Sequence, residues 1–155
     1  MVYGGGQIGL MGAMADASLQ AGGTVLGVIP EFLTLREVAH GGVTEMVVTD
    51  SMHSRKRRMF AEADAFVVMP GGLGTLDEAI EIITWRQLKL HNKPILVCDV
   101  TGWARPLLAA VESAIAQGFA EPSVCGLFEV VPDVPALLAR LQETPSGNGS
   151  PPERL

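Results

Sequence analysis

The stretch "FVVMPGGLGTLDEAIEI", residues 66–82, decides the fold. Phe66 to Met69 is an apolar run of strand character, and Pro70 ends it because proline has no N–H for a ladder. Gly71, Gly72 and Gly74 follow; glycine lets the backbone turn tightly and bring several N–H groups to one point. A helix comes next. Its N-terminus carries unpaired N–H donors and the positive end of the macrodipole, so phosphate is its natural occupant. No lysine follows the last glycine, which excludes a P-loop. Thr75 and Glu78 have two readings. As T-x-x-E they form a capping box, with Thr75 the N-cap and Glu78 bonding back to it. With a phosphate over the glycines, Glu78 instead points aside toward the sugar. One helical turn, about 5.4 Å, matches the reach from a 5′-phosphate to the anomeric carbon.

Working outward, apolar runs alternate with helix-like segments. "MVY" leads through a glycine turn into a helix that stops at Gly22 and Gly23. "TVLGVIP", "TEMVVTD", "DAFVVMP", "KPILVCDV" and "LFEVVP" read as strands. "SMHSRKRRMFAEA" is a helix with Ser51 as N-cap, "WARPLLAAVESAIAQGF" a helix stopped at Gly118, and "DVPALLARLQE" a closing helix. "EFLTLREVAHGG" reads as irregular. Continuous apolar strands alternating with helices describe an α/β, doubly wound, Rossmann-like parallel sheet covered on both faces. The expected organisation is a single domain over residues 1–143 and a disordered Pro-, Gly- and Ser-rich tail over 144–155.

The 155 residues are 48% hydrophobic with a net charge of −6, which excludes a disordered chain and argues against nucleic-acid binding. No apolar run approaches the length of a membrane span, and no secretory signal is expected from the opening residues. Cys98 and Cys125 have no metal-ligand spacing, Cys98 reads as a buried hydrophobe, and a reducing, cytoplasmic compartment is expected. "SRKRR" gathers Arg55, Lys56, Arg57 and Arg58, four of the eleven Lys and Arg residues, into one basic knot. A solvated helix face is the ordinary meaning of such a run.

Two motifs together carry a resemblance. "PGGLGTLDE", Pro70 to Glu78, and "SMHSRK", with Met52, His53, Arg55 and Lys56, resemble the LOG ("lonely guy") family of cytokinin riboside 5′-monophosphate phosphoribohydrolases, formerly labelled lysine decarboxylases. "VYGGGQIGLMG", "GGTVLGVIP", "TWRQL" and "HNKPI" are similar to the family as well, so the likeness covers nearly everything before the tail. It implies hydrolysis of the N-glycosidic bond of AMP or an N6-modified AMP, yielding free base and ribose 5-phosphate. It maps the catalytic pair onto Arg55 and Glu78. Substrate binding maps onto Glu37, Lys56, Gly71, Gly72, Leu73, Gly74, Thr75, Leu76, Asp77 and Thr84. Leu73 stands where many members have Tyr. Glu78 would stabilise positive charge on the ribose. Arg55, always charged, would hold phosphate or ribose and orient Glu78. His53 is a candidate acid by proximity alone. No metal or organic cofactor is implied, and a homodimer is. In "TLDEAIEIITWRQLKL", Ile80, Ile83 and Leu88 are expected on the sheet and Trp85 toward a partner.

The family begins with one more strand and helix before "VYGGG", and this chain lacks that βα unit. Three explanations stand: a start inside a longer protein, flanking strands that close up, or a strand from a partner chain. The first is preferred because Met1 sits where an apolar strand residue belongs. Gly4, Gly6 and Gly9 also fit G-x-G-x-x-G, with Glu31 near the expected offset for a ribose-binding acid, so a NAD-binding protein is one alternative. A nucleotide or cofactor carrier without turnover is another.

Overall fold

The computed structural model describes residues 1–34 and 38–144. In chain order the elements are β1 Val2–Tyr3, α1 Gly9–Gln20, β2 Leu26–Pro30, β3 Glu45–Thr49, α2 Met52–Glu62 and β4 Phe66–Val68. They continue with α3 Leu73–Gln87, β5 Ile95–Cys98, α4 Arg105–Ala116, β6 Glu129–Val131 and α5 Val134–Glu143. The chain is α/β, as the alternation predicts, and every strand pair is parallel. The strands form two three-stranded sheets, β1-β2-β3 and β4-β5-β6. They belong to two compact units, one of residues Met1–Ala63 and one beginning at Asp64. Residues 145–155, most of the expected tail, lie outside the described residues, as does Glu37.

In the first unit, local chemistry sets the helix ends. α1 stops where Gly22 takes φ +79° and the Gly22 and Gly23 N–H groups donate to Leu19 and Ser18 carbonyls. α2 starts on Ser51, as predicted. The Ser51 hydroxyl accepts from the Ser54 N–H and the Ser54 hydroxyl accepts from the Ser51 N–H, each at 3.2 Å. Asp50 Oδ1 accepts from both hydroxyls, which holds its carboxyl below the usual range, the Ser54 contact contributing most. Tyr3, Ala15 and Val25 form one core cluster. Phe60 of α2 is also buried.

In the second unit β5 is buried throughout and alternates between two cores. Ile95 and Val97 pack with Val68, Ala79, Ile83 and Ala104. Leu96 and Cys98 pack with Val131 and Leu137 of α5. A strand buried on both faces has no polar face, which is why "PILVC" reads as a continuous apolar run. α3 departs from expectation on one point. Trp85 and Ile83 are both buried, whereas Ile80 and Leu88 are exposed. Ala79 and Ile83 pack on one side of α3, and Trp85, two residues beyond Ile83, is buried on another, so the helix is covered on more than one side while Ile80, Thr84 and Leu88 stay exposed.

His91 closes the loop between α3 and β5. Its Nε2–H donates to the Ile82 carbonyl at 2.9 Å, and Nδ1 accepts from the Lys93 N–H at 3.1 Å. Burial lowers its pKa below the ordinary histidine value. The neutral ring is the one that folds, so the unfolded chain binds the extra proton first. Stability should therefore be complete above the ordinary histidine pKa and decline as pH falls from there toward the lowered folded value. Thermal melts from pH 7.5 to 5.5 should show this decline, and His91→Asn should have a flatter profile in that window; identical slopes would rule it out.

Candidate functional site

The two glycine clusters, alike in sequence, are built differently. The first follows β1, and Gly4, Gly5 and Gly6 are all buried. Gly5 has φ +80°, and its carbonyl accepts from the His40 N–H at 2.9 Å. Gly6 bridges Ala39, and the Gln7 N–H donates to the Val38 carbonyl at 3.0 Å. Arg55 seals the cluster from α2. Its Nε donates to the Val28 carbonyl and its Nη2 to the Gly4 carbonyl, both at 3.1 Å, and the residue is only 5% exposed. A Cβ on Gly4 would overlap Arg55 Nη2. These glycines therefore let a guanidinium lie against Gly4, just past β1, and against the middle of β2. Arg55 thus covers Gly4, whereas Gly9 and the start of α1 are exposed.

His40 supports this arrangement and was not singled out in the sequence. It is 5% exposed. Nδ1 accepts from the Gly42 N–H at 3.1 Å, so the proton sits on Nε2, 2.9 Å from Asp16 Oδ1 on α1. One side chain thus ties α1 to the segment that lies along the glycine turn. Its partners are 24 residues away and two residues away, and no local pattern announces the first.

The second cluster is open. Gly71, Gly72, Leu73 and Gly74 are all exposed. α3 begins at Leu73 with Gly72 as N-cap, so Thr75 lies inside the first turn and the T-x-x-E capping box does not form. A glycine N-cap has no side chain to offer the first-turn amides of Leu73, Gly74 and Thr75. The Leu76 N–H is the first to bond back, to the Gly72 carbonyl at 3.1 Å. Gly71 leaves room for the Thr75 side chain, which an added Cβ would strike. The Gly71 carbonyl accepts from Trp103 Nε1 at 3.0 Å. Three amides aimed along the helix axis, without a side-chain cap hydrogen bond, make an anion seat.

Glu78 stands six residues beyond Gly72, about 9 Å along the axis. It is half-buried, on the flank it shares with Ile82 and Trp85. Asp77 is exposed and Leu76 half-buried. Thr84 is exposed a further six residues along α3, about 18 Å from the N-cap, so it is not at the mouth of the loop. Lys56 is half-buried and His53 exposed on α2. Arg58 pairs with Glu62 at 2.9 Å on the surface, the ordinary fate of a basic run. Among the described residues no group of three or more His, Cys, Asp and Glu side chains is placed to hold a metal ion.

A family model described as "Possible lysine decarboxylase" matches residues 11–141. The chain is 44% identical over 143 residues to cytokinin riboside 5′-monophosphate phosphoribohydrolase of Rhodococcoides fascians, covering 92% of this chain and 72% of that protein. The chain belongs to the LOG family. It is also 48% identical to the probable cytokinin riboside 5′-monophosphate phosphoribohydrolase LOGL9 of Oryza sativa subsp. japonica and 40% identical to LOG2 of Arabidopsis thaliana. Each match covers 92% of this chain, and the first spans 63% of the rice protein's length. Both LOG motifs thus stand on elements of defined structure, the Met-His-x-Arg-Lys segment on α2 and the P-G-G-x-G-T loop at the start of α3.

Gly4→Ala should force the Arg55 guanidinium off its two carbonyls. Overpacking of this kind costs about 1–3 kcal/mol. Chemical denaturation should show that loss, and an unchanged midpoint would mean that Arg55 is not held as described.

Proposed function

We propose that this LOG-family chain hydrolyses the N-glycosidic bond of AMP or an N6-modified AMP, releasing the free base and ribose 5-phosphate. The observation that carries the reading is the exposed glycine loop of Gly71 to Gly74, opening onto uncapped amides at the start of α3. Its relatives' names supply the substrate class. The phosphate sits on the amides of Leu73, Gly74 and Thr75, with Gly72 beside them. Binding there fixes one end of the nucleotide. The ribose then extends along the first turns of α3 toward Glu78.

Departure of the base leaves positive charge on the ribose, and the Glu78 carboxylate offsets it. Glu78 either activates the incoming water or attacks the anomeric carbon itself. Arg55 acts through position more than through proton transfer, because guanidinium does not give up its proton. Its bonds to Gly4, just past β1, and to Val28 of β2 fix the guanidinium in place. Lys56 and Glu37 contribute to nucleotide binding, as do Leu76, Asp77 and Thr84. The distance of Thr84 from the loop assigns it to the far end of the ligand or to a neighbouring copy. Leu73, 85% exposed, Ile80 and Leu88 form an apolar stripe along α3 that supports a homodimer. The domain functions as one hydrolase over residues 1–143. Among the described residues no helix is long and apolar enough to cross a membrane, and the proposed compartment is the cytoplasm.

A decarboxylase with a lysine Schiff base fits less well. Lys93 is buried and burial lowers its pKa, but it precedes β5, at the opposite end of the sheet from the glycine loop.

Incubation with isopentenyladenosine monophosphate and with AMP, followed by chromatography, should yield free base. Glu78→Gln should reduce release at least about 100-fold while nucleotide binding persists. Equal turnover by the two proteins would end the assignment of Glu78, and binding without release by the parent chain would favour a carrier. Arg55→Ala should lose binding and turnover together and should melt earlier, since two buried carbonyls lose their donor.

A further inference from the structure

The second glycine loop has a support that lies 32 residues away in sequence. Trp103 packs its ring against the core of Val68, Ala79, Ile83 and Val97 and donates its indole N–H to the Gly71 carbonyl at 3.0 Å. A peptide unit is planar and trans, so the carbonyl of Gly71 and the N–H of Gly72 point in opposite directions. Fixing the carbonyl therefore fixes the amide. Without a donor at that carbonyl, glycines on both sides leave the peptide free to rotate.

The segment that delivers Trp103 is unusual in its own right. Thr101 takes φ +60° and Gly102 φ +80°, two consecutive left-handed residues between β5 and α4. A β-branched residue in that region is strained and persists only when its surroundings hold it there. Asp99 does so: its Oδ1 accepts from the Ala104 N–H at 2.7 Å and its carbonyl from the Gly102 N–H at 3.3 Å. A Cβ on Gly102 would also meet Arg105 Nε at 2.8 Å. The turn is thus pinned at both ends with the indole at its tip.

We propose that Trp103 is a positioning residue for phosphate recognition. Its indole locks the Gly71–Gly72 peptide so that the Gly72 N–H joins the amides of Leu73, Gly74 and Thr75 around the anion. The inference rests on the phosphate-binding reading of the loop given above. Trp103 touches neither ligand nor reacting atoms; it acts through the orientation of one peptide plane. The expected effect is therefore confined to ligands that carry phosphate.

Calorimetric titration tests this with ribose 5-phosphate and with adenosine, on the full chain and on Trp103→Phe, which keeps an aromatic ring and removes the donor. Affinity for ribose 5-phosphate should fall roughly 3- to 10-fold, the effect of one neutral hydrogen bond. Affinity for adenosine should stay the same. In assays of base release KM should rise by a similar factor while kcat falls less. Replacement of Trp103 by benzothienylalanine, with sulfur in place of the N–H and the same outline, repeats the test if Trp103→Phe does not fold. Unchanged ribose 5-phosphate affinity in the altered protein, with the parent chain binding and hydrolysing normally, overturns the proposal alone. Parallel losses for adenosine and ribose 5-phosphate also overturn it, since they indicate general damage to the unit. No binding of ribose 5-phosphate by the parent chain overturns the phosphate reading and the proposal with it.

Discussion

α3 begins on a residue without a side chain, and the account of this protein depends on that. Most helices hide their first amides under a serine, threonine or aspartate. α2 and α5 do this here, through Ser51 and Asp133. α3 starts on Gly72, inside a run of glycines at the end of a buried strand, and its first-turn N–H groups open to the surface. α1 and α4, which start on Ile8 and Ala104, lack a side-chain cap as well; what sets α3 apart is the run of exposed glycines at its start, which leaves room for an anion to supply the cap. The same glycine run explains why Gly74, a poor helix former, is tolerated in the first turn.

The first unit uses the same ingredients for a different end. Gly4 to Gly6 turn after β1, yet the space they leave is filled from within by Arg55, and the flanking 38–40 segment lies along the turn. A buried guanidinium needs acceptors, and the main-chain carbonyls of Gly4 and Val28 provide them. The signature arginine of the α2 motif is therefore a structural element before it is a ligand contact. Its immobility is what a charged group needs in order to act in one place. His40, with Asp16 and Gly42 on its two nitrogens, stabilises the turn from the other side.

Much of this was legible in the sequence because it is written in local chemistry. Gly22 and Gly23, Ser51, Gly118 and the apolar run 95–98 each fix an end or a face with a residue that has few alternatives. The capping-box reading puts the start of α3 three residues late, because T-x-x-E is a strong capping pattern and glycines disfavour helix. The backbone nonetheless winds from Leu73, since the Leu76 N–H finds the Gly72 carbonyl. Trp85 was misassigned for another reason: an apolar helix with residues on several sides does not reveal which side packs. What stayed hidden are contacts that join distant residues, Arg55 with Gly4 and Val28, His40 with Asp16, and Trp103 with Gly71. None leaves a periodic or compositional trace.

The central claim is that phosphate is bound by main-chain amides at the start of α3, and amide NMR addresses it directly. The ¹⁵N-labelled chain would be titrated with ribose 5-phosphate and, separately, with ribose. The account predicts that the Gly72, Leu73, Gly74 and Thr75 resonances move with ribose 5-phosphate and stay in place with ribose. Saturation by ribose 5-phosphate with those four resonances unmoved, and shifts confined to the loop of Gly4 to Gly9, would contradict it.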